Sequence, residues 1–538
     1  MKANIVVRGD AIFDSVSDLP RPGFVAIQGN KILKVGKPED AAPFIDNSTL
    51  VIDCKDQLVM PGFIDSHTHL IMAGMYKASV NLGAARSEEE AARMVYEYDR
   101  QHPTDGWVYG FNWYHVFWDD KILPTKFSLD KYFPDRPVLL VNAEAHGAWV
   151  NSKALEIAGV TKDTPDPFGG EIGRLEDGEA SGFLYERAVA LVGCHALSFT
   201  EEREKQFLKK FMESAAPLGI TSVVDVQPYF GANLGNLDTY LDMEENDELT
   251  IRIHAAPDIF GDLDLAERNA ALCTGDKVRA NLVKQFVDGV FTTHTALMLE
   301  DYTDAPGNKG IQLCELDKIG EAVEAAHKKG LSIKIHAIGD RSIRFTLDCY
   351  ENAIKKHGKN KARHAIEHLE LISEEDIPRL KELEIVPSVQ PEHLGLMPTW
   401  EGEEYRYVLG EERAGKTWRF KTMLETAGVL AIGSDCPVVD NNPFLGINRA
   451  VTRLHDDGLP EGGWNPGEKL TLAEVLKGYT SGSAYGVSRE KDLGTLEAGK
   501  LADLVVIDRN LFEVSPESIR QAKVDITIMD GKIVYRSK

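Results

Sequence analysis

Long apolar runs are missing from this 538-residue chain: no stretch approaches the ~18 apolar residues that a membrane helix requires. The opening Met1-Lys2-Ala3-Asn4-Ile5-Val6-Val7-Arg8 breaks its apolar run after three residues, too soon for a secretory signal, so a soluble, cytoplasmic protein is expected. Cysteine is scarce. Six residues scattered without a CxxC pair argue against both a disulfide framework and a thiolate zinc site. Positive charge is also in deficit: 60 Lys and Arg stand against 85 Asp and Glu, a net charge of −25 that repels phosphate backbones and anionic lipid. Neither nucleic acid nor membrane is an expected partner. Internal repeats and low-complexity segments are absent as well. What is present is a globular composition, 43% hydrophobic and 27% charged, able to build a large core.

Residues 1–60 read as short alternating strands, at 4–7, 24–28, 31–35, 49–53 and 57–60, punctuated by Gly-Asn and Gly-Lys turns. The C-terminus repeats this style at 502–507 and 526–535. Neither end carries enough strand to bury a face alone, so the two are expected to pair in one small β-domain. Between them, apolar strands at 63–67, 221–225, 251–255, 282–288, 331–336, 364–368, 385–390 and 429–435 alternate with helical stretches such as 316–329 and 343–357. Eight such strands suggest a (β/α)8 TIM barrel with its active site at the strand ends. The ~150 residues between the first two strands far exceed the ~30 of a βα unit, so 73–205 is expected to be an insertion. Its aromatics, among them Trp107, Trp113, Phe117 and Trp118, would form a satellite core, a lid on the catalytic rim, or both. The expected domains are therefore 1–58 with 490–538, a β-sandwich, and 59–489, the barrel, with 73–205 inserted after the first strand.

The strongest local signal is Met60-Pro61-Gly62-Phe63-Ile64-Asp65-Ser66-His67-Thr68-His69. Strand side chains alternate, so His67 and His69 point to one side as a two-point chelate, and imidazole is the commonest metal ligand. His336 and His368 also end strands, as does Asp435; taken singly, these read equally as core histidines and a helix cap. A barrel gathers its strand ends into one ring, which is where four such side chains would converge. Lys284 lies inside Leu282-Val283-Lys284-Gln285-Phe286-Val287-Asp288. Burial lowers a lysine's pKa toward the neutral amine, which can take up carbon dioxide as a metal-bridging carbamate; a salt bridge to Asp288 or Asp435 is the other reading.

With His-x-His, Lys, His, His and Asp on successive strand ends, the chain resembles the amidohydrolase superfamily of metal-dependent hydrolases, and within it the YtcJ-like branch, amidohydrolase family three. The likeness runs from about residue 5 to 535. It rests on the His67 stretch, on His146-Gly147-Ala148-Trp149-Val150-Asn151-Ser152-Lys153-Ala154-Leu155, and on His336-Ala337-Ile338-Gly339-Asp340-Arg341. Ser388-Val389-Gln390-Pro391-Glu392-His393, Gly433-Ser434-Asp435-Cys436-Pro437 and Gly494-Thr495-Leu496-Glu497-Ala498-Gly499-Lys500 complete it.

The resemblance implies that His67 and His69 bind one divalent ion, His336 and His368 a second, and Lys284 bridges them as a carbamate. Asp435 would touch the first ion and act as general base. Zinc suits such ligands best. The implied reaction is hydrolysis of a C–N bond, amide-type and non-peptide or small N-acyl, through a metal-bridging hydroxide. His146, His294, Arg341, Gln390 and His393 are candidate contacts to a small-molecule substrate. His294 marks a departure, since Val290-Phe291-Thr292-Thr293-His294-Thr295-Ala296 stands where the family carries a Ser/Gly-rich turn and often an arginine. A mononuclear zinc deaminase, an esterase or lactonase, and a non-catalytic scaffold are the competing readings. A homodimer is the common assembly for soluble enzymes.

Overall fold

The computed structural model describes residues 2–103, 106–143, 145, 147–229 and 232–538. They divide into two compact units, one made of Met1–Thr68, Met212–Val226 and Tyr240–Lys538, the other of His69–Phe211 and Gln227–Thr239.

In the first unit, eight strands carry almost wholly buried, largely apolar sequence: β1 (Phe63–Thr68), β2 (Ile220–Val226), β3 (Arg252–Ala256), β4 (Leu282–Phe286), β5 (Ser332–Ala337), β6 (Ala365–His368), β7 (Val386–Val389) and β8 (Ala431–Ile432). Burial of both faces is what parallel strands covered by helices require. β1–β2–β3 pair in parallel, as do β4 through β8. Single parallel bridges, Asp258 with Lys284 and Thr68 with Cys436, join the two runs. The result is a TIM-barrel-like α/β arrangement with helices such as Leu316–Lys328 and Asp340–His357 between strands.

The chain ends meet in one sheet of this unit. Ile5–Ile12 pairs with Arg21–Gln28 and, in parallel, with Leu50–Asp53 and Leu58–Pro61; Leu58–Pro61 then pairs antiparallel with Leu504–Ile507, followed by Val524–Met529 and Lys532–Arg536. The last hairpin turns on Asp530 and Gly531, both at positive φ (53° and 72°), the backbone that makes Asp-Gly a favoured two-residue turn. Val7, Val25, Ile27, Val59, Leu504 and Ile528 form its buried core.

The second unit is a six-stranded sheet, Val80–Asn81, Val108–Trp113, Val138–Asn142, Gly147–Val150, Ala180–Glu186 and Gly170–Arg174 in spatial order. Its aromatics make a core: the ring of Trp113 lies 5.6 Å from Trp118, 5.9 Å from Trp149 and 5.7 Å from Phe183. The Trp113 and Trp149 indoles donate to Leu140 O and Thr125 O, so their polar edges are satisfied in the interior. Phe117 is exposed. Among the described residues, no helix is long and apolar enough to cross a membrane.

Candidate metal centre

Asp65 ties the ends of β1 and β8 together. Its buried carboxylate accepts from the backbone of His67 (3.2 Å) and Ser434 (2.8 Å) and from the Ser434 hydroxyl (2.6 Å), while Asp435 N donates to His67 O at 2.7 Å. Burial pushes the Asp65 carboxyl up to about 6, against these three hydrogen bonds, which favour its ionised form. Gly433 permits the close approach, because a Cβ there would strike the backbone nitrogen of His67. At the strand ends His368 (φ 72°), Leu369 (φ 51°) and Asp435 (φ 64°) adopt the left-handed backbone, which costs of order 1–3 kcal/mol per residue and clusters at functional sites.

Three strand ends converge. The ligand atoms of His67, His368 and Asp435 all lie within 4.8 Å of one another, and each residue is buried. Nδ1 of His67 sits 2.5 Å from Glu367 Oε2, and Glu367 Oε1 accepts from Lys334 Nζ at 2.6 Å. Burial works against the Glu367 carboxylate, but Lys334 and His67 together hold it far below its ordinary range. An ionised Glu367 makes His67 Nδ1 the donor, and Nε2 faces Asp435 Oδ1 3.2 Å away. The His336 ring centroid is 4.4 Å from that of His368, and its Nε2 donates to Gly289 O at 3.2 Å, leaving Nδ1 as its acceptor. Burial drives His336 and His368 well below the usual imidazole value, keeping both neutral and able to ligate.

Lys284 is fully buried, and burial brings its amine down to about 8. Among the described residues, Lys284 Nζ and His368 Nδ1 are buried atoms with no hydrogen-bond partner. Asp288 does not pair with the lysine. It accepts instead from Leu297 N, Ile338 N, Gly339 N and Ser342 Oγ, anchoring the start of helix Asp340–His357. Neutral imidazoles, a carboxylate and a desolvated amine without a hydrogen-bond partner fit a divalent centre by donor type.

Of the other expected residues, His393 adjoins this cluster. His393 is buried, with Nε2 3.4 Å from Asp435 Oδ2 and Nδ1 3.7 Å from Glu370 Oε1. Gln390 is buried too, its Nε2 donating to Ser388 O. His294 is bound by Asp304 at 2.9 Å and packs edge-on to Tyr302. Arg341 is exposed. His69 belongs to the second unit, where it precedes helix Leu70–Lys77 and faces the Tyr229 ring at 6.3 Å. His146 lies outside the described residues. Sequence reasoning missed Glu367, Lys334, Glu370 and Asp65. Lys334 left a signal, a charge inside an apolar strand two residues before His336.

The chain's sequence matches the model of the amidohydrolase family over residues 50–535. It is 33% identical to Protein LONG AFTER FAR-RED 3 of Arabidopsis thaliana, over 99% of this chain and 92% of that one. It is 30% identical to the putative amidohydrolase YtcJ of Bacillus subtilis, over 93% and 92%. An N-substituted formamide deformylase of Arthrobacter pascens is 27% identical over 95% and 94%. A crystal structure of an uncharacterized metal-dependent hydrolase from Pyrococcus horikoshii superposes with a TM-score of 0.79 at 25% identity, covering 95% of this chain and 99% of that chain.

Proposed function

Because the chain belongs to the amidohydrolase family, metal-dependent hydrolases of C–N bonds, we propose that it cleaves an amide-type bond of a non-peptide or small N-acyl substrate at the ends of β1, β5, β6 and β8, beside Lys284 within β4. In this reading His67, His69 and Asp435 hold one divalent ion, His336 and His368 the other, and Lys284 stands between them as a carbamate. Two such ions, zinc by ligand type, supply carbonyl polarisation and an acidified water. The observation that carries the reading is the convergence of His67, His368 and Asp435 beside a buried lysine amine that has no hydrogen-bond partner.

The chain's own groups do the rest. Glu367, pinned by Lys334, fixes the His67 tautomer. Asp435 takes the proton of the attacking water and returns it to the departing nitrogen. Lys284, its amine brought down to about 8 by burial, adds through its neutral nitrogen to carbon dioxide and loses a proton, giving a carbamate anion. His393 lies beside Asp435 where it can meet the substrate; His146, His294, Arg341 and Gln390 are proposed as outer contacts. The same reading takes the fold as a (β/α)8 barrel, 59–489, with a β-sandwich from 1–58 and 490–538 and an insertion at 73–205. It also takes the protein as a cytoplasmic enzyme, acting as a homodimer.

Elemental analysis of the purified protein, with intact-mass spectrometry for a carbon dioxide adduct on Lys284, tests this. About two ions per chain, with adduct and with amide turnover that collapses in Lys284→Ala, is the expected result. One ion, no adduct and turnover indifferent to Lys284 would move the reading to a mononuclear deaminase.

A further inference from the structure

Beside the expected pair of ion seats lies a second group of ligands that the family pattern does not use. The ligand atoms of His368, Glu370 and His393 are all within 4.8 Å of one another, and all three side chains are buried. Nδ1 of His393 and Oε1 of Glu370 stand 3.7 Å apart. That is too long for an N–H···O bond of 2.7–3.2 Å. It is close to the roughly 3.4 Å that separates two ligands each ~2.1 Å from one tetrahedral ion.

Glu370 is also held from behind, as metal ligands are. Glu370 Oε2 accepts from the Tyr405 hydroxyl at 2.6 Å, and Tyr405 is fixed by stacking on Trp418 with centroids 4.7 Å apart. His393 turns its other nitrogen, Nε2, toward Asp435 Oδ2, 3.4 Å away. His368, the shared member, contributes a buried Nδ1 with no hydrogen-bond partner.

We propose that His368, Glu370 and His393 form an alternative seat for the second divalent ion, sharing His368 with the His336–Lys284 seat so that only one of the two is filled at a time. This rests on the dinuclear reading above and adds that the second ion does not depend on Lys284 to stay bound. An ion on the alternative seat is displaced from the lysine bridge, so the carbamate is needed for turnover rather than for retention.

The test reloads metal-free protein with zinc and counts ions per chain by mass spectrometry after gel filtration. Wild type and Lys284→Ala should both hold about two, whereas Lys284→Ala combined with Glu370→Gln should fall to about one. His336→Asn, alone and with Glu370→Gln, repeats the comparison through a different side chain if the lysine variant does not fold. The proposal is overturned if Lys284→Ala or His336→Asn alone drops to about one ion while wild type keeps two, which leaves the dinuclear reading standing. It is equally overturned if Glu370→Gln changes nothing in either background, because His393 is then held between Glu370 and Asp435 as a cation with no place for an ion. A wild-type count of one would sink the dinuclear reading itself, and this inference with it.

Discussion

Glu367 shows how one carboxylate can set the chemistry of a histidine it does not replace. It is fully buried, yet its two oxygens are divided between His67 Nδ1 and Lys334 Nζ, so neither charge is left alone. Glu367→Gln would keep the shape but remove the charge that dictates the His67 tautomer, and would leave Lys334 buried against a neutral amide. Ion affinity should weaken by about 10–100-fold, read by competition with a chelator, while a variant that binds as tightly as wild type would show that the tautomer is set elsewhere. This residue was hard to see in the sequence for a geometric reason. Strand alternation places Glu367 and His368 on opposite faces, but His368 leaves the strand at φ 72°, so both reach the same ring of side chains. The histidines and Asp435 were legible because each closes an apolar run. Asp65 was not, since its partners, Ser434 and the backbone of His67, come from strands that only the fold makes neighbours.

The strands themselves were legible as elements because parallel strands covered on both faces write themselves as unbroken apolar runs. Their entry ends hold a feature that periodicity does not announce. Ile333 N–H, at the start of β5, donates to Nδ1 of His364 (3.3 Å), the residue before β6. His364 Nε2 must then carry the proton and donate to His327 Nδ1 (2.8 Å), whose Nε2–H donates to Gly358 O (2.9 Å). Backbone groups at both ends fix every proton, and the pair holds only while neutral. Burial, with His327 adding to it, brings His364 from 6.5 down to about 3. The folded pKa lies below the unfolded one, so the unfolded chain takes up the proton first as pH falls. Stability from this group is therefore intact above 6.5 and lost progressively from there toward 3. One such proton is worth about 1.4 kcal/mol per pH unit in that window. The midpoint of thermal unfolding should fall between pH 6.5 and 5, less steeply in His364→Gln by one proton's worth; equal slopes would remove His364 from the account.

At the scale of the whole molecule, the C-terminal strands are bound into the first unit by an ion network around a buried arginine. Arg252, in β3, is fully buried and donates Nε to Asp503 Oδ2 (2.6 Å) and Nη2 to Asp503 Oδ1 (2.8 Å) and to Asp530 Oδ1 (3.1 Å). Asp503 in turn accepts from the backbone of Asp530, at the turn of the last hairpin, and its carbonyl accepts from Gly62 N at the start of β1. Sequence patterning suggested that the terminal strands pair with one another, which they do, but an arginine in an apolar strand gave no sign of which distant carboxylates would meet it. The fork geometry of the guanidinium matches two carboxylates at once, a match lysine cannot make. Arg252→Met would leave the buried Asp503 facing the partly buried Asp530 with no cation between them. Removing one partner of such a network costs about 3–5 kcal/mol, and because the sheet is built from both chain ends, the loss should appear as lowered cooperative unfolding of the barrel together with the terminal strands. Thermal melts followed by near-ultraviolet dichroism, alongside limited proteolysis at the C-terminus, would show the two signals moving together. If the C-terminal strands became protease-sensitive while the barrel's midpoint stayed put, the network would be fastening the ends to the barrel without supporting it. Arg252→Lys, which keeps the charge but loses the fork, should recover only part of the difference.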